Sequence, residues 1–89
     1  MARYRIESAT AAARQLGSLP RKQQVRIASK IDGLSSDPRP PGCVKLGGSE
    51  DIYRIRVGDF RILYQVKDDI LLVLVVKVAH RGEAYKIKK

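Results

Sequence analysis

The sequence predicts an α+β domain of the order β-α-α-β-β-β, in which a short strand precedes an αα-hairpin and an antiparallel sheet. Two amphipathic stretches, separated by the turn at Gly17–Pro20, have the period of helices. Two segments that alternate apolar and polar residues flank Gly58-Asp59, which is typical of a β-hairpin. The run Ile70–Ala79 is apolar at nearly every position, so we expect an interior strand with both faces covered. A short basic segment, His80–Lys89, follows this strand.

The N-terminal half is predicted to contain one strand and two helices. Arg3–Ile6 alternates briefly and is the predicted strand, and Ser8 is a suitable N-cap for a helix over Ala9–Leu16. Pro20 suits the start of the second helix, because its missing N–H costs nothing in the first turn, and Gly33 marks the end. The apolar positions expected on the inner faces are Ala9, Ala12, Ala13 and Leu16 in the first helix and Val25, Ile27, Ala28, Ile31 and Leu34 in the second.

The segment Asp37–Ser49 is predicted to be a loop, because it holds three of the four prolines and three of the seven glycines. The hairpin strands follow it at Ile52–Val57 and Phe60–Lys67, and their two-residue turn fixes which residues lie opposite each other. Side chains alternate between the two faces of a strand. One face of the hairpin is therefore apolar and is expected to pack on the helices; its pairs are Tyr53 with Tyr64, Ile55 with Ile62, and Val57 with Phe60.

The opposite face of the hairpin is predicted to carry three arginines. Arg56 lies directly opposite Arg61, and Arg54 is on the same face. Like charges opposed across a ladder destabilise a sheet by roughly 0.2–1 kcal/mol. A bound polyanion would relieve this repulsion, and guanidinium groups bind phosphate in bidentate geometry. The alternative is a solvated face whose arginines are screened by salt or paired with Glu50 or Asp51.

The charge balance indicates the kind of partner. The chain of 89 residues is sufficient for one domain, over residues 1–89, and its 18 Lys and Arg oppose nine Asp and Glu to give a net charge of +9. We therefore expect an anionic partner, which can be a nucleic acid, an acidic protein or a membrane surface. The run Ile70–Val76 is too short to span a bilayer, and the N-terminus lacks the apolar part of a secretion signal.

The cysteine and histidine content argues against a disulfide and a metal site, and it offers a candidate for acid–base chemistry. Cys43 and His80 are the single Cys and the single His of the sequence, so we expect no internal disulfide, no metal site and no cofactor, and a reducing cytoplasm fits best. His80 follows the apolar strand, with Arg81 and Tyr85 close behind it. Because an imidazole exchanges protons near neutral pH, this tail is a candidate for acid–base chemistry; the alternative is an incidental surface histidine.

Four segments together resemble the RelE/ParE superfamily of toxins from bacterial and archaeal toxin–antitoxin pairs. They are the turn Leu16–Pro20, the stretch Lys45–Gly48, the hairpin segment from Tyr53 to Tyr64, and His80-Arg81-x-x-x-Tyr85. The resemblance covers almost the whole chain and implies a RelE-like fold with the element order given above. It also implies one of two activities. RelE-type members cleave messenger RNA in the ribosomal A site, whereas ParE-type members inhibit DNA gyrase and cleave nothing.

The C-terminal segment favours the RelE type, because ParE-type chains usually lack a basic pair followed by a tyrosine. The resemblance then implies that the basic residues of the sheet hold the RNA backbone. By matching motif these residues are Lys45, Arg54 and Arg56, and Arg61 would lie at the scissile phosphate. The expected substrate is thus messenger RNA on the ribosome, with no membrane involved.

The same resemblance implies roles for the C-terminal residues. Arg81 would stabilise the developing charge or protonate the leaving oxygen, and Tyr85 would stack on a base or orient the 2′-OH. Some RelE-type members have lysines where this chain has Arg54 and Arg56, and arginine is nearly always protonated and a poor base. His80 is therefore the first candidate for the proton acceptor, and Tyr85 is the second.

The expected reaction is a transesterification within RNA. The 2′-OH of one nucleotide attacks the adjacent phosphorus and the 5′-oxygen of the next nucleotide leaves, which gives a 2′,3′-cyclic phosphate. This reaction needs no metal if cations neutralise the phosphorane. The alternatives are a ParE-type gyrase inhibitor and a basic module that binds RNA without cleaving it. Either toxin implies a cognate acidic antitoxin, for which the helix near Ala12 and Ala13 is a candidate dock.

Overall fold

A computed structural model describes residues 3–46 and 51–80, which form two helices packed on one face of a five-stranded sheet. The strands are β1 (Arg5–Ser8), β2 (Val44–Lys45), β3 (Ile52–Val57), β4 (Phe60–Lys67) and β5 (Leu72–His80), and the helices are α1 (Thr10–Gly17) and α2 (Arg21–Gly33). A 3₁₀ turn, Asp68–Ile70, connects β4 to β5. Within these described ranges, no helix is long and apolar enough to cross a membrane.

The sheet has the strand order β1-β5-β4-β3-β2. Successive neighbours from β5 to β2 are antiparallel, and β1 pairs with β5 in parallel. The apolar run was expected to form an interior strand, and β5 does lie between β1 and β4. The predicted α+β class is confirmed, and the sheet gains one strand over the predicted order.

That additional strand, β2, lies inside the segment Asp37–Ser49 that was predicted to be a loop throughout. Val44 pairs with Arg54 and Lys45 pairs with Tyr53. A two-residue strand is too short for an alternating pattern, and its pairing depends on a partner elsewhere in the chain. This part of the loop prediction is therefore wrong, because β2 forms by pairing with β3 and a local sequence pattern does not show that pairing.

The start of α1 also differs from the sequence prediction. Ser8 is the last residue of β1, and Ala9 occupies the N-cap with no side-chain hydrogen bond. Ala9 instead donates its backbone N–H to the carbonyl oxygen of Val75 at 2.8 Å. Pairing with β5 thus extends β1 through the residue that was expected to cap the helix.

The core lies between the helices and the apolar face of the hairpin, as predicted. The buried cluster contains Ala12, Ile27, Ile31 and Leu34 from the helical half and Tyr53, Ile55, Ile62, Tyr64, Val66, Val73, Val75 and Val78 from the sheet. Val25 and Ala28 were expected on the inner face, but both are exposed, Val25 at 55%. The helix turns Ile27 and Ile31 toward the sheet, which directs Val25 away from it.

One of the two alanines at the expected antitoxin dock is buried. Ala12 is 1% exposed and belongs to the core cluster. Its small side chain brings α1 close to β5 within this protein, so its face is already occupied. Ala13, the next residue, is exposed.

A polar clasp, formed by Tyr4, Arg39, Tyr53 and Asp68, ties the segment after α2 to the residue before β1, to β3 and to the turn after β4. Arg39 donates to the Tyr53 hydroxyl at 2.9 Å and to the two carboxylate oxygens of Asp68 at 2.8 and 3.2 Å, and Tyr4 donates to Asp68. The bond from Arg39, with that from Tyr4, holds the pKa of Asp68 below its usual value. The bond to Asp68 in turn raises the pKa of Tyr4.

Candidate nucleic-acid interface

The sheet face away from the helices carries Arg54, Arg56 and Arg61, and we call this surface the arginine face. The predicted hairpin register is confirmed: Arg56 lies opposite Arg61, and Arg54 lies opposite Leu63. Opposed residues point to the same side of a sheet. The three arginines therefore share one face, with the like-charged pair nearest the β3–β4 turn.

Arg61 is the least accessible of these arginines. It is 7% exposed, whereas Arg54 is half-buried and Arg56 is exposed. Within the sheet Arg61 lies between Arg56 on β3 and the small side chain of Ala79 on β5. A side chain held in place by its neighbours loses less rotamer freedom when it binds a ligand. Of the three arginines, Arg61 is thus the one whose side chain is most restricted by its neighbours.

A β-bulge between β4 and β5 changes which side chains of β5 reach the arginine face. Tyr64 pairs with Val75 and Leu63 pairs with Lys77, so Val76 is the additional residue. Simple alternation from Val75 would direct Lys77 into the core. The additional residue reverses that alternation, and Lys77 lies on the arginine face instead.

Lys77 is the residue of this face that the sequence analysis missed. It forms one row with Leu63 and Arg54 on three neighbouring strands. The Cα atoms of Lys77 and Arg54 are therefore two strand spacings, or about 9.5 Å, apart, with Leu63 between them. It is also diagonal to Arg61, whose partner Ala79 is two residues farther along β5. A signal was available, since Lys77 is the one charged residue in the apolar run from Ile70 to Ala79.

The same reversal separates His80 from the arginine face. His80 pairs with Phe60, and their rings meet edge to face with centroids 5.2 Å apart. Both belong to the helix side of the sheet, at a cavity of about 280 Å³ lined by Gln15, Ser18, Leu19, Phe60, Val78 and His80. His80 and Arg61 were expected to serve as base and phosphate ligand of one site, and the register places their two side chains on opposite faces of the sheet.

Lys45 is also apart from the arginines. It lies opposite Tyr53, and therefore on the helix side of the sheet at the β2 edge. Its ammonium group is 3.4 Å from the carboxylate of Asp51. The structure thus gives Lys45 a carboxylate partner and does not add it to the arginine face. Arg81 and Tyr85, the remaining predicted site residues, lie outside the described residues.

The sequence matches the model of a family described as the ParE toxin of the type II toxin–antitoxin system parDE, over residues 4–85. It is also similar to a putative toxin RelE1 of Methanocaldococcus jannaschii. The two are 29% identical over 87 residues, which cover 94% of this chain and 97% of the relative.

Two solved structures share the fold at TM-scores of about 0.8. The archaeal RelE–RelB complex from Pyrococcus horikoshii OT3 gives a TM-score of 0.81 at 31% identity, over 89% of this chain and 96% of that chain. The toxin–antitoxin complex RelBE2 from Mycobacterium tuberculosis gives 0.80 at 27% identity, over 92% and 95% of the two chains. The family match and the shared fold each span most of the chain, and together they show that it belongs to the RelE/ParE superfamily of type II toxins.

Proposed function

We propose that this toxin is a RelE-type endoribonuclease that cleaves messenger RNA in the ribosomal A site. The observation that carries the proposal is the arginine face, on which Arg61 is held beside Arg56 while Arg54 and Lys77 flank Leu63. This arrangement offers several cations to one short stretch of phosphate backbone. The RelE names of the relatives described above support the same choice.

The proposed roles follow the accessibility of each cation. Arg54, Arg56 and Lys77 are exposed or half-buried, and they bind the backbone on either side of the cleaved bond. Arg61 is held between its neighbours and contacts the scissile phosphate, where a fixed positive charge offsets the charge that develops on the phosphorane. The 2′-OH forms the new bond to phosphorus and the 5′-oxygen departs, so the substrate is RNA and not DNA.

Proton transfer in this proposal depends on the C-terminal segment. His80 lies on the helix side of the sheet, so Tyr85, the second candidate, becomes the group that orients the 2′-OH and takes its proton. Arg81 stabilises the charge that develops on the leaving 5′-oxygen or protonates that oxygen. Both roles come from the resemblance to RelE-type toxins and require no metal.

An antitoxin is the proposed second partner. The two similar structures are complexes of a toxin with its antitoxin. A net charge of +9 makes an acidic polypeptide a favourable ligand for this toxin. We infer that the antitoxin neutralises the arginine face and blocks RNA, and that the toxin acts in the cytoplasm where ribosomes are found.

The proposal is tested with programmed ribosomes and a messenger that carries one 2′-deoxy nucleotide at the cleavage position mapped by primer extension. Wild-type toxin should cut the all-ribose messenger and leave the deoxy messenger intact. Arg61→Gln should reduce the single-turnover cleavage rate at least about 100-fold, as expected for loss of a group that stabilises transition-state charge. Lys67→Gln removes one charge from the same strand and should leave the rate within about threefold of wild type. Cutting at the deoxy nucleotide would contradict the mechanism.

A ParE-type gyrase inhibitor is the second candidate, because the matching family model is named for the ParE toxin. In that case the arginine face binds protein and not RNA. A cell-free extract that reports both translation and DNA supercoiling separates the two candidates. Loss of supercoiling with the messenger intact would establish the gyrase inhibitor and overturn the endoribonuclease.

A further inference from the structure

A side-chain hydrogen bond joins α1 to the strand that carries Lys77. Gln15 is half-buried near the end of α1, and its side-chain oxygen accepts the backbone N–H of Val78 at 2.9 Å. This N–H belongs to the peptide group that follows Lys77 in the chain. Gln15 therefore contacts the backbone of β5 immediately after a residue that is proposed to bind RNA.

The N–H of Val78 depends on this bond because β1 ends too early to pair with it. β1 pairs with β5 only as far as Ser8 and Val75, and the chain then leaves the sheet to form α1. Beyond Val75, no strand in the described part of the chain pairs with this edge of β5. Val78 is 4% exposed, and a buried N–H without a partner is unfavourable. The amide oxygen of Gln15 thus takes the place of the missing strand.

The same stretch of β5 contains the bulge. Val76 is the additional residue, and the ladder with β4 resumes where Lys77 lies opposite Leu63. A bulge leaves its additional residue unpaired and disrupts the ladder locally. The bond from Val78 to Gln15 constrains β5 from the side of α1, directly after this disruption. It holds the peptide group next to Lys77, and the backbone there sets the direction in which the Lys77 side chain leaves the strand.

We propose that Gln15 is a positioning residue that holds Lys77 on the arginine face by fixing the peptide group that follows it. This inference rests on the proposed function, in which Lys77 binds the RNA backbone, and it identifies a residue outside the arginine face on which that contact depends. Gln15 belongs to α1, which packs on the opposite face of the sheet, so it acts through β5 and not by touching RNA. Loss of the acceptor at Gln15 should therefore weaken RNA binding through Lys77.

The test measures the effect of Lys77→Gln on the binding of a single-stranded 2′-O-methyl RNA, which cannot be cleaved, in four backgrounds. The backgrounds are wild type, Gln15→Leu, Gln15→Glu and Gln24→Leu. Gln15→Leu removes the acceptor and has a similar helix propensity. Gln15→Glu keeps an acceptor oxygen, and comparison within one background cancels its added charge. Gln24→Leu is the matched control, because Gln24 also bonds to the backbone, at the carbonyl oxygens of Gly17 and Leu19 between the two helices.

We expect Lys77→Gln to lower the magnitude of the slope of log affinity against log salt by about 1 in wild type, Gln15→Glu and Gln24→Leu, since one phosphate contact is lost. In Gln15→Leu the same substitution should change the affinity by less than about twofold, because the two residues act as one unit and their effects are not additive. An equal effect of Lys77→Gln in all four backgrounds would overturn the inference. Circular dichroism checks folding, and Gln15→Ala, whose side chain also lacks an acceptor, is used if Gln15→Leu does not fold.

Amide hydrogen exchange gives a second measurement that does not depend on RNA. The Val78 amide should exchange at least about tenfold faster in Gln15→Leu than in wild type, because local opening no longer has to break the bond to Gln15. Gln15→Glu should retain the protection, since its carboxylate oxygen accepts the same N–H. Unchanged exchange in Gln15→Leu would show that the bond does not constrain β5 and would overturn the inference.

Failure of the inference differs from failure of the proposed function. If Lys77→Gln has the same effect in every background while wild-type toxin cuts messenger, Gln15 has no positioning role and the nuclease stands. If the effects of Gln15→Leu and Lys77→Gln are coupled and wild-type toxin cuts nothing, Gln15 positions Lys77 and the nuclease is wrong. If wild-type toxin binds no RNA, the proposed function is wrong, and the exchange of the Val78 amide still decides whether Gln15 holds this part of β5.

Discussion

Lys77 shows how much a single residue can depend on the conformation of its strand. The bulge at Val76 places the side chain of Lys77 on the arginine face, beside Leu63 and diagonal to Arg61. Without that additional residue the same side chain would enter the core, where an unpaired charge is strongly unfavourable. Bulges often redirect side chains at functional sites, which agrees with a role for Lys77 in binding.

Lys77→Gln should weaken RNA binding and reduce the magnitude of its salt slope by about 1, since the variant loses one phosphate contact. Lys77→Arg should retain the slope, because the charge is kept. Binding of non-cleavable RNA at several salt concentrations measures both. Lys67→Gln, at the far end of β4 on the same face, is the control, and an effect there as large as that of Lys77→Gln would reduce Lys77 to a general charge contribution.

His80→Gln should leave the cleavage rate and its pH profile within about threefold of wild type, because His80 lies across the sheet from Arg61. The variant retains a polar side chain beside Phe60, so little change in stability is expected. Single-turnover cleavage between pH 5.5 and 8.5 is the measurement. A loss of 100-fold or more, with an altered profile, would restore His80 as the proton acceptor.

At the level of elements, α1 begins without a side-chain cap. Ala9 stands at its N-cap position in extended conformation, with φ −62 and ψ 154, and Thr10 begins the helix. Alanine is among the poorest N-cap residues, and the first turn contains no acidic residue to complement the helix dipole. The stability of this helix therefore comes chiefly from packing on β5.

Ala9→Asp should raise the free energy of unfolding by about 1 kcal/mol, since an aspartate accepts a hydrogen bond from the first turn and interacts favourably with its dipole. Ala13→Asp adds the same charge at an exposed position within the helix and should give no such gain. Urea denaturation compares the two variants with wild type. Equal stabilisation by both would mean that reduction of net charge, and not capping, is the cause.

The elements also show which parts of the fold can be predicted from the sequence. The β3–β4 register follows from a two-residue turn and two alternating segments, so local information was sufficient to bring Arg56 opposite Arg61. The β-bulge, the short β2 and the parallel pairing of β1 with β5 depend on distant partners. The position of His80 on the helix side of the sheet and the position of Lys77 on the arginine face both depend on one such non-local feature, the bulge.

At the scale of the whole molecule, the polar clasp joins parts of the chain that are far apart in sequence. Tyr4 precedes β1, Arg39 follows α2, and Asp68 connects β4 to β5. Because the folded pKa of Asp68 is lowered, its ionised form stabilises the fold above its unfolded pKa, and this contribution is lost as pH falls through the lower folded value.

Asp68→Asn should lower the melting temperature at neutral pH, and the difference from wild type should narrow under acidic conditions. The carboxylate is exposed, so the effect is expected to be small and sensitive to salt. Thermal unfolding at neutral and acidic pH is the measurement. Asp69→Asn, at the next residue, is the matched control and should show no such pH-dependent difference. If the melting temperatures of wild type and Asp68→Asn differed by the same amount at every pH, the charge of Asp68 would be excluded as the cause of that difference.

The position of β5 between β1 and β4 also bears on how the protein is made. Until residues 72–80 have been synthesised, β1 has no neighbour in the sheet and the core lacks Val73, Val75 and Val78. Pairing between strands so far apart in sequence is slow, because the chain loses conformational entropy on closing the loop before the stabilising contacts form. A nascent chain therefore cannot assemble the row of Arg54, Leu63 and Lys77 early in translation. The arginine face is thus completed only after nearly all of the described sheet has been made.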